Sequence, residues 1–240
     1  MIGNLFHTFV FLPLYNGLVF LVDVMPGHDV GLAVIALTII VRIFLIPLSR
    51  KAVQAQMVAK ELAPQIEELK KKHAKDKEAQ GKAIFALYKE KGVHPFAGLG
   101  LVLLQFPVLV GLYWVFSHGG LPSIDATWLY AFVQAPATIQ MDFLGMIPMA
   151  GNSILLASTA AISQLVYTRL SMGAPAAKAS TPVEATLSED MMRSFDMQAR
   201  YVLPVFIGFI SYYIAAAAPL YWTTSNIFMI VQEYVTGKRF

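Results

Sequence analysis

Cysteine is absent from all 240 residues. A disulfide framework, a thiolate metal site and a thiol nucleophile are thereby excluded. Charge is also scarce: 14% of residues are Asp, Glu, Lys or Arg, against about 25% in an ordinary soluble domain. A disordered chain would be charge-rich and poor in large apolar groups, whereas 57% of these side chains are hydrophobic. Basic residues are missing altogether from 1–29, 118–149 and 215–217. What is abundant is long apolar runs and a mean hydropathy of +0.59. That composition points to a polytopic membrane protein, with about five spans at roughly 20 residues each.

The apolar runs set out the spans. Val30–Leu48 carries a single charge, Arg42, while Ala97–Phe116 and Phe143–Thr168 carry none. Tyr201–Gln232 is uncharged for 32 residues. As one helix that run would be ~48 Å long, too much for ~30 Å of hydrocarbon. Ala217–Ala218–Pro219 offers a break, which predicts two helices at about 197–214 and 218–236. The expected fold is all-α, with five transmembrane helices, an N-terminal interfacial helix and a cytoplasmic helical hairpin. In order, this gives an extracytoplasmic interfacial helix in 1–29, a first span at 30–49, the hairpin at 50–94 and a second span at 95–117. An extracytoplasmic segment at 118–146, a third span at 147–169, a cytoplasmic linker at 170–196, a fourth span at 197–214, a fifth at 218–236 and a cytoplasmic tail at 237–240 complete it.

Orientation follows from Lys and Arg. Eleven of the 18 lie in 50–93, four in 169–200 and two in the tail, leaving only Arg42. Five spans with the N-terminus outside place every basic segment in the cytoplasm. The first residues lack the basic opening of a secretory signal, since no Lys or Arg precedes Arg42. After Pro13, the residues Leu14, Leu18, Leu21, Val22 and Met25 share one helical face. A helix in the outer interface is expected there; a sixth span starting inside would leave the other spans unchanged.

In 50–93, Val53, Met57, Val58, Leu62, Ile66 and Leu69 recur at helical spacing, as do Ile84, Leu87 and Tyr88, with HAKDKE between. Two helices folded as a hairpin are expected, with a kink or restart at Pro64, which cannot donate to the helical ladder. Eleven bases against six acids leave this arm at +5. One reading is a topology anchor resting near anionic headgroups. The other is a docking arm for an anionic partner, with Lys70, Lys71, Lys72, Lys75 and Lys77 as its candidate contacts. Residues 170–190, rich in Ala, Ser, Thr and Pro, read as a flexible linker.

Arg42 is the residue that most needs a reason, because a cation at the centre of a span costs ~2.5–3.5 kcal/mol on insertion scales. It stands six residues before the end of its apolar run, so snorkelling to the interface is one explanation. Thr38, one turn earlier on the same face, favours a polar, hydrated surface. Gln105, Gln164 and Asn226 add polar groups in other spans. Each alone is ordinary helix–helix glue; together with Arg42 they would line one cavity. No carboxylate is expected within the spans, Glu233 lying near a span end, so Arg42 would face water or a group that arrives with a substrate. The five histidines fall in loops, polar helices or span ends, with no HExxH pair and no Ser–His arrangement in the spans. Neither an enzyme, a metal nor a cofactor is implied.

The run GLAVIALTIIVRIFLIPLSRKAVQAQM resembles the first conserved span of the YidC/Oxa/Alb membrane protein insertases, with its embedded arginine and following proline. The likeness continues through LAPQIEELKKKH and ALYKEKGVHPFAGLGLVLLQFPVLVGLYW to PLYWTTSNIFMIVQEY. The stretch PLYNGLVFLVDVMPGHDVG is similar to the interfacial helix that precedes this span in the family. It is weakest across 118–150 and 170–195. The resemblance implies a five-helix core with a groove open to cytoplasm and lipid and closed toward the outside. Arg42, Thr38, Gln105 and Gln164 match polar groove positions; Tyr221 and Trp222 match the aromatic pair on the substrate-contacting face of the last span. It also implies nascent membrane proteins and the lipid bilayer as partners. The hairpin would recruit the ribosome, the signal recognition particle pathway or the Sec translocon. The departures are the lack of a large extracytoplasmic domain, of a lipid-accepting cysteine and of a long tail after Gly237, so ribosome contact through the tail is not expected. With no transit peptide, a bacterial plasma membrane is the expected location. A small-solute or anion channel using Arg42 as its site, and a purely scaffolding subunit, are the alternatives from other classes.

Overall fold

The computed structural model describes residues 2–74, 76–92, 100–117, 121–172 and 197–235, most of them helical. The start of the expected second span, Lys75, the linker from 173 and the tail from 236 lie outside these residues. The chain forms two compact units, one of 1–42 with 109–240, the other of 43–108.

In the first unit, α1 (Ile2–Phe6), a π-helical turn (His7–Phe11) and α2 (Leu12–Val24) run together as one helix. The helix expected after Pro13 therefore begins much earlier, and Pro13 stands inside it, where the π-helical turn passes into α2. Met25 turns extended and Gly27, at φ 68°, completes the exit. Asn4–Val24 and Val30–Lys51 are each long and apolar enough to cross a bilayer. The contacts of the first stretch constrain its course. At one end it leads within five residues into α3 (Val30–Glu61). At the other, the ring of Phe6 meets Trp114 edge-on at 5.3 Å, and His7 meets Trp128 at 6.1 Å. Trp114 is in the last turn of α6 (Gly100–Ser117), and Trp128 is in the loop that follows.

That loop, 121–153, is tied down by buried polar side chains of the first 29 residues. Asn16 donates to the carbonyls of Leu12 (2.9 Å) and Trp128 (2.8 Å) and accepts from the Tyr130 amide (2.6 Å). The Tyr15 hydroxyl accepts from the amide of Asp125 (2.8 Å). Asp29 caps α3 by accepting from Leu32 N (3.0 Å), and its second oxygen accepts from Leu144 N (2.7 Å). Asp125 itself is half-buried, and the hydroxyl and amide of Thr127 hold its carboxyl below the usual range. The loop carries the described strands, β1 (Asp142–Phe143) and β2 (Ile147–Pro148), an antiparallel hairpin too short to alter the helical class.

Three elements complete this unit: α7 (Ile154–Met172), α8 (Leu203–Tyr213, entered through a π-helical turn at Gln198–Val202) and α9 (Ala217–Val235). The 32-residue apolar run does break, at Ile214, whose backbone is extended. The amides of Ala216 and Ala217, unpaired at a helix start, donate to the carbonyls of Gly151 (2.7 Å) and Met149 (3.1 Å). α7 packs between α8 and α9. Against α8 the approach is so close that a Cβ on Gly208 would stand 2.9 Å from that of Ala161. Small residues at such contacts let apolar helices gain dispersion energy that lipid cannot supply.

The second unit holds the later part of α3, α4 (Ala63–Lys72), α5 (Lys77–Glu90) and the start of α6. The division between first span and hairpin at residue 50 is not a structural boundary, since α3 runs unbroken to Glu61 through Pro47. Arg, Lys, Ala, Gln and Met after Ser49 are all good helix formers, and nothing there caps the helix. The chain breaks at Leu62 and restarts with Pro64 in the first turn of α4. Asp76 caps α5, accepting from the amides of Glu78 (3.1 Å) and Ala79 (2.9 Å). Buried Gln80 donates to the carbonyl of Lys70 (3.0 Å), tying α5 to α4.

Candidate functional site

Arg42 stands twelve residues into α3, ~18 Å from its start. It is only 6% exposed. Its Nε donates to the Ser225 hydroxyl of α9 at 2.6 Å, and a terminal guanidinium nitrogen donates to the same oxygen. Tyr221, one turn before Ser225 and almost wholly buried, and Tyr167 of α7 lie within electrostatic reach of the guanidinium. The guanidinium thus belongs to a junction of α3, α7 and α9, and does not snorkel along its own helix. Thr38 is buried one turn earlier, but its hydroxyl donates to the Val34 carbonyl (2.6 Å) of its own helix.

A seam of side-chain hydrogen bonds joins α7 to α9. The hydroxyls of Thr159 and Thr223 are 3.2 Å apart; Asn226 donates to Ser163 Oγ (3.1 Å); Trp222 Nε1 donates to Gln164 Oε1 (3.0 Å); Ser171 donates to Glu233 Oε1 (3.1 Å). The pairs 159–223, 163–226 and 171–233 advance together along both helices, so α7 and α9 run parallel. Gln164 also donates to Thr168 Oγ1 at 3.1 Å, one turn on. Interhelical bonds of this kind average about 0.6 kcal/mol in membrane proteins, so the seam holds the pair in register without locking it.

The structure adds partners to two of the expected features. Glu233, in the last turn of α9 and so near the helix end as expected, is nonetheless only 2% exposed and accepts from Ser171. Arg42, expected to face water or a group that arrives with a substrate, has the Ser225 hydroxyl as a hydrogen-bond partner within the fold. Ser163, Tyr167, Ser171, Ser225 and Glu233 were all missed as site residues. A signal was available in Ser163, Tyr167 and Ser171, which repeat every four residues and so share one face of α7.

Of the expected groove residues, the fold brings Arg42 to Tyr221, and Gln164 to Trp222, while Asn226 pairs with Ser163. Gln105 is half-buried on α6 within the second unit. Of the expected docking lysines, Lys71, Lys72 and Lys77 are exposed on the second unit, Lys70 is 7% exposed, and Lys75 lies outside the described residues. Among the described residues no three His, Asp or Glu side chains group as metal ligands do.

The family described as 60Kd inner membrane protein matches residues 20–240. The chain is similar to a membrane protein insertase YidC of Clostridium acetobutylicum, 28% identical over 218 residues, covering 90% of this chain and 77% of the relative. A membrane protein insertase YidC of Alkalihalophilus pseudofirmus is 28% identical over 249 residues, covering 98% and 82%. The likeness extends to an inner membrane ALBINO3-like protein 2, chloroplastic, of Chlamydomonas reinhardtii, 28% identical over 209 residues, covering 86% of this chain and 49% of the relative.

Proposed function

Because the chain belongs to the YidC/Oxa/Alb family of 60Kd inner membrane proteins, we propose that it is an insertase and chaperone, moving short polar segments of nascent membrane proteins across the bilayer through a hydrophilic groove. Five spans (α3, α6, α7, α8 and α9) cross a bacterial plasma membrane, with the N-terminus outside and the tail in the cytoplasm. The distribution of Lys and Arg supports this orientation, as does the parallel course of α7 and α9 with α8 between them in sequence. The helix from Ile2 to Val24 lies in the outer interface. A span would carry one of its ends to the cytoplasmic side, yet Phe6 and His7 touch Trp114 and Trp128, beside the same loop that holds the start of α3.

The observation that carries the mechanism is the buried Arg42 guanidinium, seated against a neutral hydroxyl among Ser225, Tyr221 and Tyr167. Ser225 is a placeholder. An acidic side chain of an incoming segment makes shorter, charge-assisted bonds, roughly twice as strong as neutral ones, and displaces it. The segment is held part-way across while its apolar helix leaves along the face of Tyr221 and Trp222 into lipid. Burial of that helix drives the transfer. An inside-negative potential adds about 2.3 kcal/mol per 100 mV for each acidic residue carried outward. No bond is made or broken, so the protein is not an enzyme. The hairpin of α4 and α5, with Lys71, Lys72 and Lys77 exposed, recruits the ribosome, the signal recognition particle pathway or the Sec translocon.

Complementation of an insertase-depleted bacterium tests this reading. The chain restores growth and insertion of substrates with acidic translocated tails, and Arg42→Ala loses the acidic substrates while keeping those with neutral tails. No rescue by the well-expressed chain, together with steady solute flux in liposomes, would favour a channel instead.

A further inference from the structure

The turn between β1 and β2 breaks a local rule. Phe143 pairs with Ile147 across a three-residue connection in which Gly145 N donates to the Asp142 carbonyl (2.9 Å) and Met146 N to that of Phe143 (3.0 Å), and Leu144 and Gly145 have φ of 52° and 71°. Both are left-handed, a region that Gly, Asn or Asp usually takes and where leucine is strained. The strained side chain is not packed: Leu144 is 56% exposed and Met146 is 74% exposed. In water an exposed leucine at such a position has a cost and no return.

The tip is attached at one definite height. Leu144 N donates to Asp29 Oδ2 (2.7 Å), and Val30 N donates to the Gln140 carbonyl (3.0 Å). The Phe143 ring lies so close over the first turn of α3 that a Cβ on Gly31 would stand 2.3 Å from it. Farther along, α3 exposes Ile39, Ile40 and Ile43, the apolar surface that a span turns to lipid. No Lys or Arg occurs from 118 to 149, so attraction to anionic headgroups plays no part.

We infer that the hairpin tip is a lipid-contacting element, with Leu144 and Met146 entering the acyl–headgroup boundary of the outer leaflet beside the start of α3. Lipid supplies the return for the strained leucine, and the tip ties the outer loop to the membrane surface. This rests on the topology proposed above and not on the insertion activity.

The absence of cysteine makes a clean test possible. Single substitutions Leu144→Cys and Met146→Cys carry a polarity-sensitive fluorophore in the full chain, reconstituted in phosphatidylcholine vesicles with and without phosphatidylglycerol. Ile40→Cys is the control for hydrocarbon, and Thr138→Cys, exposed in the same loop, the control for water. Labels at 144 and 146 emit to the blue of the label at 138. Nitroxide lipids labelled near the headgroup quench them several-fold more than they quench 138, equally in both vesicle types. Water-like emission at 144 and 146 with a hydrocarbon-like signal at 40 overturns the inference alone. Water-like emission at all positions overturns the span assignment with it, and blue emission only in anionic vesicles overturns the apolar basis.

Discussion

The hairpin of α4 and α5 and the seam between α7 and α9 are both polar, and they use polarity in opposite ways. In the hairpin most charges face outward: Glu67, Glu68, Lys71, Lys72, Asp76, Lys77 and Glu78 are all exposed. Its Glu78–Lys82 pair, at 2.6 Å, is solvated on every side. In the seam and beside it, Ser163, Gln164, Thr168, Ser171, Ser225, Asn226 and Glu233 are buried. Solvated charges are individually replaceable, because water takes over whatever a lost partner supplied. Buried polar groups are not, because a vacated partner leaves a desolvated donor or acceptor behind. Polar count therefore says little about what a residue is worth; location decides it.

Four experiments would break or sharpen that contrast. Ser225→Ala removes the hydroxyl that takes the Arg42 guanidinium, and should cost about 1–3 kcal/mol in denaturant-induced unfolding from micelles; a change near zero would erase the distinction between the two regions. Asp76→Ala removes the cap of α5 and should cost about 1 kcal/mol, seen as faster amide exchange confined to the first turn of α5. A double-mutant cycle on Ser163→Ala and Asn226→Ala should return a coupling of about 0.6 kcal/mol that does not respond to salt. The same cycle on Glu78→Gln and Lys82→Gln should return about 0.3–0.5 kcal/mol at low ionic strength and nothing in concentrated salt. Salt sensitivity in the seam would mean that water reaches it, and would turn those residues from glue into groove lining.

Much of the helical organisation was legible because it follows from composition along the chain. The break in the long apolar run was expected around Ala217–Pro219, and α9 starts at Ala217. Pro64, lacking a donor, coincides with the restart at α4. The reach of α3 to Glu61 was not legible, since the change from apolar to basic residues at Arg50 marks where a span ends and not where its helix does. The helical N-terminus was half legible: the shared face after Pro13 was visible, but not the start at Ile2.

The candidate site divides in the same manner. Arg42 stood out because any cation in an apolar run is anomalous. Its partner did not, because a serine in an apolar helix has no periodic or charge signature of its own. Glu233 was dismissed by its position near a span end, although the fold buries it against Ser171. Asn16 went unremarked as a structural residue, yet it holds three backbone groups of its own helix and the outer loop.

By itself the sequence determined the class of protein and the helical runs. Those are one-dimensional properties: hydropathy and charge are set residue by residue, and a bilayer sorts them along the chain. Only the tertiary structure decided that Arg42 is held by Ser225, 183 residues away, that Gln164 and Trp222 satisfy each other, and that the tip at Leu144 is bound to Asp29. Hydrogen bonds are short and directional, so which of many similar hydroxyls and amides meet depends on helix register and rotation, and neither is written in the local sequence of either partner.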